Sequence, residues 1–190
     1  MIKSITDYLD ITCNKYPEKI SFAENENVFI TYKDFVLKSK VIGSNIVEEY
    51  NLFKMPIMVF IDKSINTLLS MFGVLYSGNF YTVVDVTSPK NRIDSIVNTL
   101  EPKLIITDNK KELQYDLPIL NIEELKYKTN EKLLNEVKNR VIDTDAAYVL
   151  FTSGSTGVPK GSVISHKSVI EYTSWFKNAF NINSKTIFGN

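Results

Sequence analysis

The stretch that decides the fold is Tyr148-Val-Leu-Phe-Thr-Ser-Gly-Ser-Thr-Gly-Val-Pro-Lys-Gly-Ser-Val-Ile-Ser-His166. Its beginning belongs to the apolar run Ala146 to Phe151, which is rich in β-forming residues and predicts a buried strand. The next six residues, Thr152 to Gly157, carry four hydroxyls and two glycines, a composition that excludes a core strand or a helix. Residues Ser162 to Ser165 favour an extended conformation again. The sequence therefore predicts a polar loop held between two extended segments.

The loop has the composition of a phosphate-binding site. Glycine lets the backbone approach a ligand closely and adopt positive φ, so N–H groups and hydroxyls can converge on one anion. Lys160, fixed between Pro159 and Gly161, adds a point charge that can reach phosphate oxygens. The candidate ligands for phosphate oxygens are therefore Thr152, Ser153, Gly154, Ser155, Thr156, Gly157 and Lys160.

Three other interpretations of the loop are open but weaker. The Walker A pattern requires a glycine directly before the lysine and a serine or threonine directly after it, whereas Pro159 and Gly161 flank Lys160. A flexible Gly/Ser linker has a similar composition, but such a linker does not usually lie between two apolar β-forming runs. The hydroxyls could also hydrogen-bond to one another in a turn.

Composition and charge exclude several classes of partner. The chain has 190 residues, 44% of them hydrophobic, which suits one globular domain. Lys and Arg total 22, as do Asp and Glu, so no basic excess indicates binding to nucleic acid or a membrane surface. The one cysteine, Cys13, fits a reducing compartment. The N-terminus shows no signal peptide, and the longest apolar run, Pro56 to Ile61, is too short to span a bilayer. We expect a cytoplasmic protein.

The order of strand and helix signals predicts the fold class. Buried strands are predicted at Pro56–Ile61, Phe80–Val86 and Lys103–Thr107, with helical patterns between them and a short edge strand at Ile119–Leu120. Such alternation favours an α/β layered fold, with a mainly parallel sheet flanked by helices. A helix ending at Tyr16-Pro17 and a β-hairpin near residues 20–30 precede this part of the chain.

The end of the chain carries a further predicted helix and strand. Ser165 is predicted to cap a helix, and Lys185 to Phe188 favour the start of another strand. His166, the only histidine, is interpreted as a structural side chain at the helix start rather than as a base, since no partner for base catalysis is evident. The predicted buried face of this helix consists of Val169, Tyr172, Trp175, Phe176 and Phe180.

The loop resembles the third core motif of the adenylate-forming superfamily, which includes acyl-CoA synthetases, luciferases and amino-acid-activating adenylation domains. Phe151 to Gly161 and Ser165-His166 match that pattern, and Ser162 departs from the usual Val or Ala. Residues Ile30 to Phe35 resemble the first motif. Residues Leu75 to Asp85 resemble the second, with departures at Val83 and at Ser77-Gly78-Asn79. The second motif is most similar to that of D-alanine–carrier protein ligases and peptide-synthetase adenylation domains.

The resemblance implies a function and an incomplete site. Residues 1–190 would form a single partial domain, the N-terminal part of the large domain of an adenylate-forming enzyme, with the C-terminal domain absent. The full protein would activate an amino acid with ATP and Mg²⁺ and pass the aminoacyl group to the phosphopantetheine thiol of a carrier protein. Since the catalytic lysine of the family would follow residue 190, no catalytic or metal-ligating residue is expected in this chain, which by itself would be inactive.

Two alternatives to this function are kept. One is an AMP-forming ligase of the acyl-CoA synthetase type, which shares the loop motif. The other is a non-catalytic interaction module that retained the fold. In either case apolar helix and sheet faces would lack their cover, so self-association of the chain is expected.

Overall fold

The computed structural model describes residues 2–108, 115–152 and 159–189. In chain order its elements are α1 (Ile5–Lys15), β1 (Ile20–Ala23), β2 (Phe29–Thr31), α2 (Tyr32–Asn45) with a π-helical turn (Ile46–Tyr50), β3 (Pro56–Val59), α3 (Ile65–Tyr76), β4 (Phe80–Val83), α4 (Lys90–Leu100), β5 (Leu104–Thr107), β6 (Ile119–Asn121), α5 (Glu131–Arg140), β7 (Ala146–Thr152), β8 (Lys160–Ser165) and α6 (His166–Ala179).

A six-stranded sheet in the order β6-β5-β3-β4-β7-β8 organises the molecule. Every neighbouring pair is parallel except β7 and β8, which are antiparallel. The prediction of a mainly parallel sheet flanked by helices is confirmed, as is the edge position of the strand at Ile119. Strands β1 and β2 form a separate antiparallel pair that confirms the predicted hairpin.

The central strands are apolar at consecutive positions because both faces of the sheet are covered. Ile57 and Val59 of β3 belong to a core with helices α1, α2 and α3 on one face. Met58, between them in sequence, lies in a second core with Ile93 and Ile96 of α4 on the other face. Since side chains alternate along a strand, an unbroken apolar run is what burial on both faces requires.

Helices α2 and α3 approach each other closely at a glycine. A Cβ placed on Gly73 would lie 2.5 Å from Cγ2 of Ile42, a distance that real carbon atoms do not tolerate. Nearby, Phe35 of α2 is fully buried, and its ring meets those of Phe22 and Phe72 at centroid distances of 4.7 and 5.3 Å. As predicted, Thr31 caps α2, its hydroxyl accepting the Asp34 N–H.

Two predictions for the end of the chain are wrong. The apolar face of α6 is exposed, with Tyr172, Trp175 and Phe180 each more than half accessible, because no described element packs over it. The rings instead contact one another in an aromatic cluster of Tyr172, Trp175, Phe176, Phe180 and Phe188. Residues 185–188 form no strand, since no described strand pairs with them.

Candidate functional site

The predicted phosphate loop connects the two strands of an antiparallel hairpin. Strands β7 and β8 pair from Ala146 opposite Ser165 to Thr152 opposite Lys160. The two outermost predicted ligands, Thr152 and Lys160, are therefore cross-strand neighbours at the loop end of the hairpin. The remaining predicted ligands, Ser153, Gly154, Ser155, Thr156 and Gly157, lie outside the described residues.

The loop end of this hairpin lies at the carboxyl edge of the parallel sheet. Strand β7 runs parallel to β4, with Tyr148 opposite Tyr81, and the Thr82 hydroxyl donates a 2.9 Å hydrogen bond to the Val149 carbonyl. Thr152 thus ends its strand on the same side as the loops that follow β3 and β4. In open α/β sheets, ligands bind outside the carboxyl ends of the strands, so Thr152 and Lys160, which flank the predicted loop, lie at the edge where a ligand is expected.

Thr152 and Lys160 are exposed, while the residue before the lysine is not. Pro159 is buried, which fixes the backbone on one side of Lys160, since proline also restricts φ. The described residues provide no ion-pair partner for the Lys160 ammonium group. A hydroxyl and a cation that no described carboxylate neutralises, on neighbouring strands, are suited to binding phosphate oxygens.

A cross-strand pair directly below the loop was not among the predicted functional residues. Gly161 lies opposite Phe151, and a Cβ on Gly161 would lie 3.1 Å from Cζ of the Phe151 ring and 2.9 Å from Cγ1 of Val149. The Val149 side chain and the Phe151 ring thus together occupy the space that a side chain at position 161 would need. Both residues stand inside the matching motif, and a glycine opposite an aromatic residue in a predicted hairpin is the signal that could have identified them.

His166 has the structural role that was predicted. Its side chain is 2% exposed, and its Nδ1 accepts a 3.3 Å hydrogen bond from the backbone N–H of Ile5 at the start of α1. Burial lowers the pKa of His166, and the carboxylates of Asp145 and Asp7 only partly oppose this effect. The neutral imidazole therefore joins the start of α6 to the start of α1.

A model of the family described as AMP-binding enzyme matches residues 9–188. The chain belongs to the AMP-binding enzyme family. The D-alanine–D-alanyl carrier protein ligase of Listeria monocytogenes serotype 4a (strain HCC23) is 31% identical over the whole chain, and tyrocidine synthase 1 of Brevibacillus parabrevis is 26% identical over 98% of it. The structure of a fatty acid AMP ligase from Legionella pneumophila superimposes on 98% of the chain with a TM-score of 0.81 and 20% identity.

The chain spans only part of each of these proteins. It covers 38% of the Listeria ligase, 17% of tyrocidine synthase 1 and 34% of the Legionella protein. The homologues of this AMP-binding chain include D-alanine–carrier protein ligases and peptide-synthetase adenylation domains. The solved structure, at its low identity, supports the fold alone.

The departures from the second motif of the AMP-binding family are accommodated structurally. Asn79 is buried, its Oδ1 accepts the Met55 N–H at 3.0 Å, and its Nδ2 donates to the Leu52 carbonyl and to the Ser77 hydroxyl at 3.1 and 2.8 Å. Gly78 adopts a φ of 71°, a conformation that favours glycine. These hydrogen bonds join the loop before β3 to the start of β4, which explains an asparagine at this position.

The described residues do not form a magnesium site. Mg²⁺ prefers carboxylates, phosphate oxygens and water, and residues 2–108, 115–152 and 159–189 contain no group of three or more His, Cys, Asp and Glu side chains placed to hold a metal. The Thr152 hydroxyl is a single oxygen ligand.

A charged cleft between α1, α2 and α5 has a structural explanation. Lys138 contacts Asp7 and Asp10 at 2.7 and 2.9 Å, Tyr76 donates its hydroxyl to Asp10, and Lys40 pairs with Glu131. Because these charges are already paired, they join the helices around the cleft, including α3 through Tyr76, rather than presenting free groups to a ligand. In the described part of the chain, no helix combines the length and apolar composition that crossing a membrane requires.

Proposed function

We propose that residues 1–190 are the N-terminal part of the large domain of an ATP-dependent ligase that activates an amino acid as its adenylate. The observation that carries the proposal is the exposed pair of Thr152 and Lys160 at the carboxyl edge of the sheet, in a chain of the AMP-binding enzyme family. The identity to D-alanine–carrier protein ligases supports an amino acid rather than a fatty acid as substrate. A carrier protein with a phosphopantetheine thiol is the proposed acceptor.

The proposed reaction is adenylation followed by transfer. A substrate carboxylate oxygen forms a bond to the α-phosphorus of ATP, the bond from that phosphorus to the bridging oxygen breaks, and pyrophosphate leaves. A thiol then attacks the acyl carbon, and AMP leaves.

Such reactions depend on positioning and electrostatic stabilisation. The hydroxyls of Thr152, Ser153, Ser155 and Thr156 and N–H groups near Gly154 and Gly157 would hold the leaving phosphates, with Lys160 neutralising their charge. ATP is a substrate here, and Mg²⁺ would be carried mainly by its phosphates.

The single cysteine supports a reducing, cytoplasmic location.

We also propose that the chain of 190 residues, by itself inactive, associates with a second copy of itself. The exposed aromatic cluster and the edge strand β8 support this, and the formal net charge of zero gives the two copies no net repulsion.

Amino-acid-dependent ATP–pyrophosphate exchange tests the enzymatic proposal. The protein is expressed from the complete coding sequence in which residues 1–190 lie, and D-alanine and the common L- and D-amino acids are assayed singly. Exchange with one of them is the expected result. Exchange with none of them, in a protein that is folded, would contradict the proposal, and exchange supported by fatty acids alone would favour the acyl-CoA synthetase alternative.

The Lys160→Ala variant tests the assignment of the loop. Losing one charged stabiliser should reduce ATP-dependent turnover by about tenfold to a thousandfold, while thermal unfolding should change little because Lys160 is exposed. Lys167→Ala removes another exposed lysine from the start of α6 and serves as the matched control. Unchanged turnover of Lys160→Ala would show that this lysine has no role in the reaction.

A further inference from the structure

The register of the β7–β8 hairpin determines from which face of the sheet the side chains of Thr152 and Lys160 project. In an antiparallel pair, directly opposite residues have their side chains on the same face, and successive residues alternate between faces. Phe151 and Gly161 are one opposite pair, and Thr152 and Lys160 are the next. The ring therefore lies on one face of the hairpin, while the hydroxyl and the ammonium group project from the other.

The Phe151 ring is fixed from two sides. It packs against the core formed by Met58, Phe60, Val84, Ile93, Ile96 and Ile105, which joins β3, β4 and β5 to α4. It also lies beside Gly161, whose missing side chain leaves the space that the ring occupies. An aromatic side chain that covers a glycine on the neighbouring strand is a known means of pinning strand register.

The register matters here because a slip of one residue would move Lys160 to the opposite face of the sheet. Strand β8 is an edge strand, held by β7 alone among the described strands, and edge strands with few partners slip most easily. The residues on both sides of Lys160 limit such slippage, since Pro159 is buried and Gly161 lies against the ring.

We propose that Phe151 and Gly161 are positioning residues for the phosphate loop: the ring against the bare glycine fixes the hairpin register that presents Thr152 and Lys160 together to the nucleotide. The consequence of this arrangement for catalysis rests on the proposed function, whereas its effect on the hairpin register does not. A side chain at position 161 would displace the ring, and loss of the ring would leave β8 free to shift. Each change should therefore misplace the loop without removing any phosphate ligand.

The first test measures backbone amide hydrogen exchange in the chain itself. In Gly161→Ala and in Phe151→Leu, exchange of the amides that pair residues 151 and 152 with 160 and 161 should accelerate at least tenfold. Exchange of the amides at the central pair Met58–Ile105 reports global stability, and it should accelerate less than exchange at the loop end. The control is Leu150→Ala, which removes a neighbouring exposed side chain of the same strand. Unchanged exchange at the loop end in both variants would overturn the proposal whatever the activity of the protein.

The second test uses ATP–pyrophosphate exchange by the protein from the complete coding sequence. Each variant should raise KM for ATP about tenfold and leave KM for the amino acid unchanged. The double variant Gly161→Ala/Phe151→Leu should show less than the product of the two single effects, because the smaller side chain vacates part of the space that the new methyl needs. Multiplicative effects, or equal changes in both KM values, would overturn the proposal. A wild-type protein without exchange activity would count against the proposed function, and the hydrogen-exchange result would still decide the register.

Discussion

Apolar side chains are buried in the central sheet but largely exposed in the β7–β8 hairpin and helix α6. Ile57, Met58 and Val59 of β3 are completely buried between helices on both faces. Leu150 of β7, Val163 of β8 and Trp175 of α6 are each more than half exposed. The two regions have similar apolar patterns in sequence, yet only the central one is covered by other described elements.

The difference shows what an apolar pattern specifies. Periodicity of 3.6 residues identifies one face of a helix as apolar, but it says nothing about which element will cover that face. In α3 the cover is α2, which packs so closely that position 73 accepts only glycine. In α6 the apolar side chains contact one another. The candidate phosphate ligands Thr152 and Lys160 lie in this less covered region, where groups remain accessible to a ligand.

The largest expected effect comes from the covered region. Phe35→Ala removes a ring that is fully buried against Phe22 and Phe72, and it should lower the free energy of unfolding by about 3–5 kcal/mol. Leu37→Ala, two residues along the same helix, removes a side chain that is 51% exposed and should cost less than about 0.5 kcal/mol. Urea unfolding monitored by circular dichroism measures both. Equal losses in the two variants would mean that α2 does not bury the face assigned to it.

The sequence predicted the covered region well because its signals are local. Thr31 followed by Asp34 specifies a capped helix, and the apolar runs at Pro56 and Lys103 specify strands buried on two faces. The partner of His166 could not be predicted, because Ile5 is 161 residues away in sequence. The pairing of Phe151 with Gly161 depends on hairpin register, which the loop motif does not reveal by itself. The motif predicts Thr152 and Lys160 as phosphate ligands, which stays a prediction, and the fold places the two residues opposite each other at one edge of the sheet.

A smaller effect is expected where the two regions meet, at His166. Its pKa in the folded state lies below the ordinary value of 6.5, chiefly because of burial. The unfolded chain therefore binds a proton first as the pH falls, and stability that is fully present above about pH 6.5 decreases below it, by at most about 1.4 kcal/mol per pH unit. Asp145, paired with Lys54, and Asp7, paired with Lys138, are the charges that face the imidazole.

Unfolding measured between pH 7.5 and 5.5 checks this expectation. The window lies above the titration of ordinary carboxylates, so His166 should dominate the slope. His166→Asn keeps an acceptor that can reach the Ile5 N–H but has no proton to bind, and its stability should vary less over the same window. If wild type and variant have the same pH slope, the contact between α1 and α6 does not depend on the neutral imidazole.

The smallest effect on stability, and the sharpest contrast with Phe35, is expected at Trp175. This residue is the only tryptophan, and it is 58% exposed in the aromatic cluster. Since more than half of its surface stays accessible to water in the folded chain, Trp175→Ser should change the free energy of unfolding by less than about 1 kcal/mol, far less than Phe35→Ala. If the cluster is where two copies of the chain meet, the same change should weaken association at least tenfold in sedimentation equilibrium. Ile11→Ser, which replaces an apolar side chain of similar exposure on α1, should leave association unchanged.

A wild-type chain that stays monomeric at high concentration would show that an exposed aromatic face is not sufficient for association. Equal weakening by both variants would place the contact between the two copies outside the aromatic cluster.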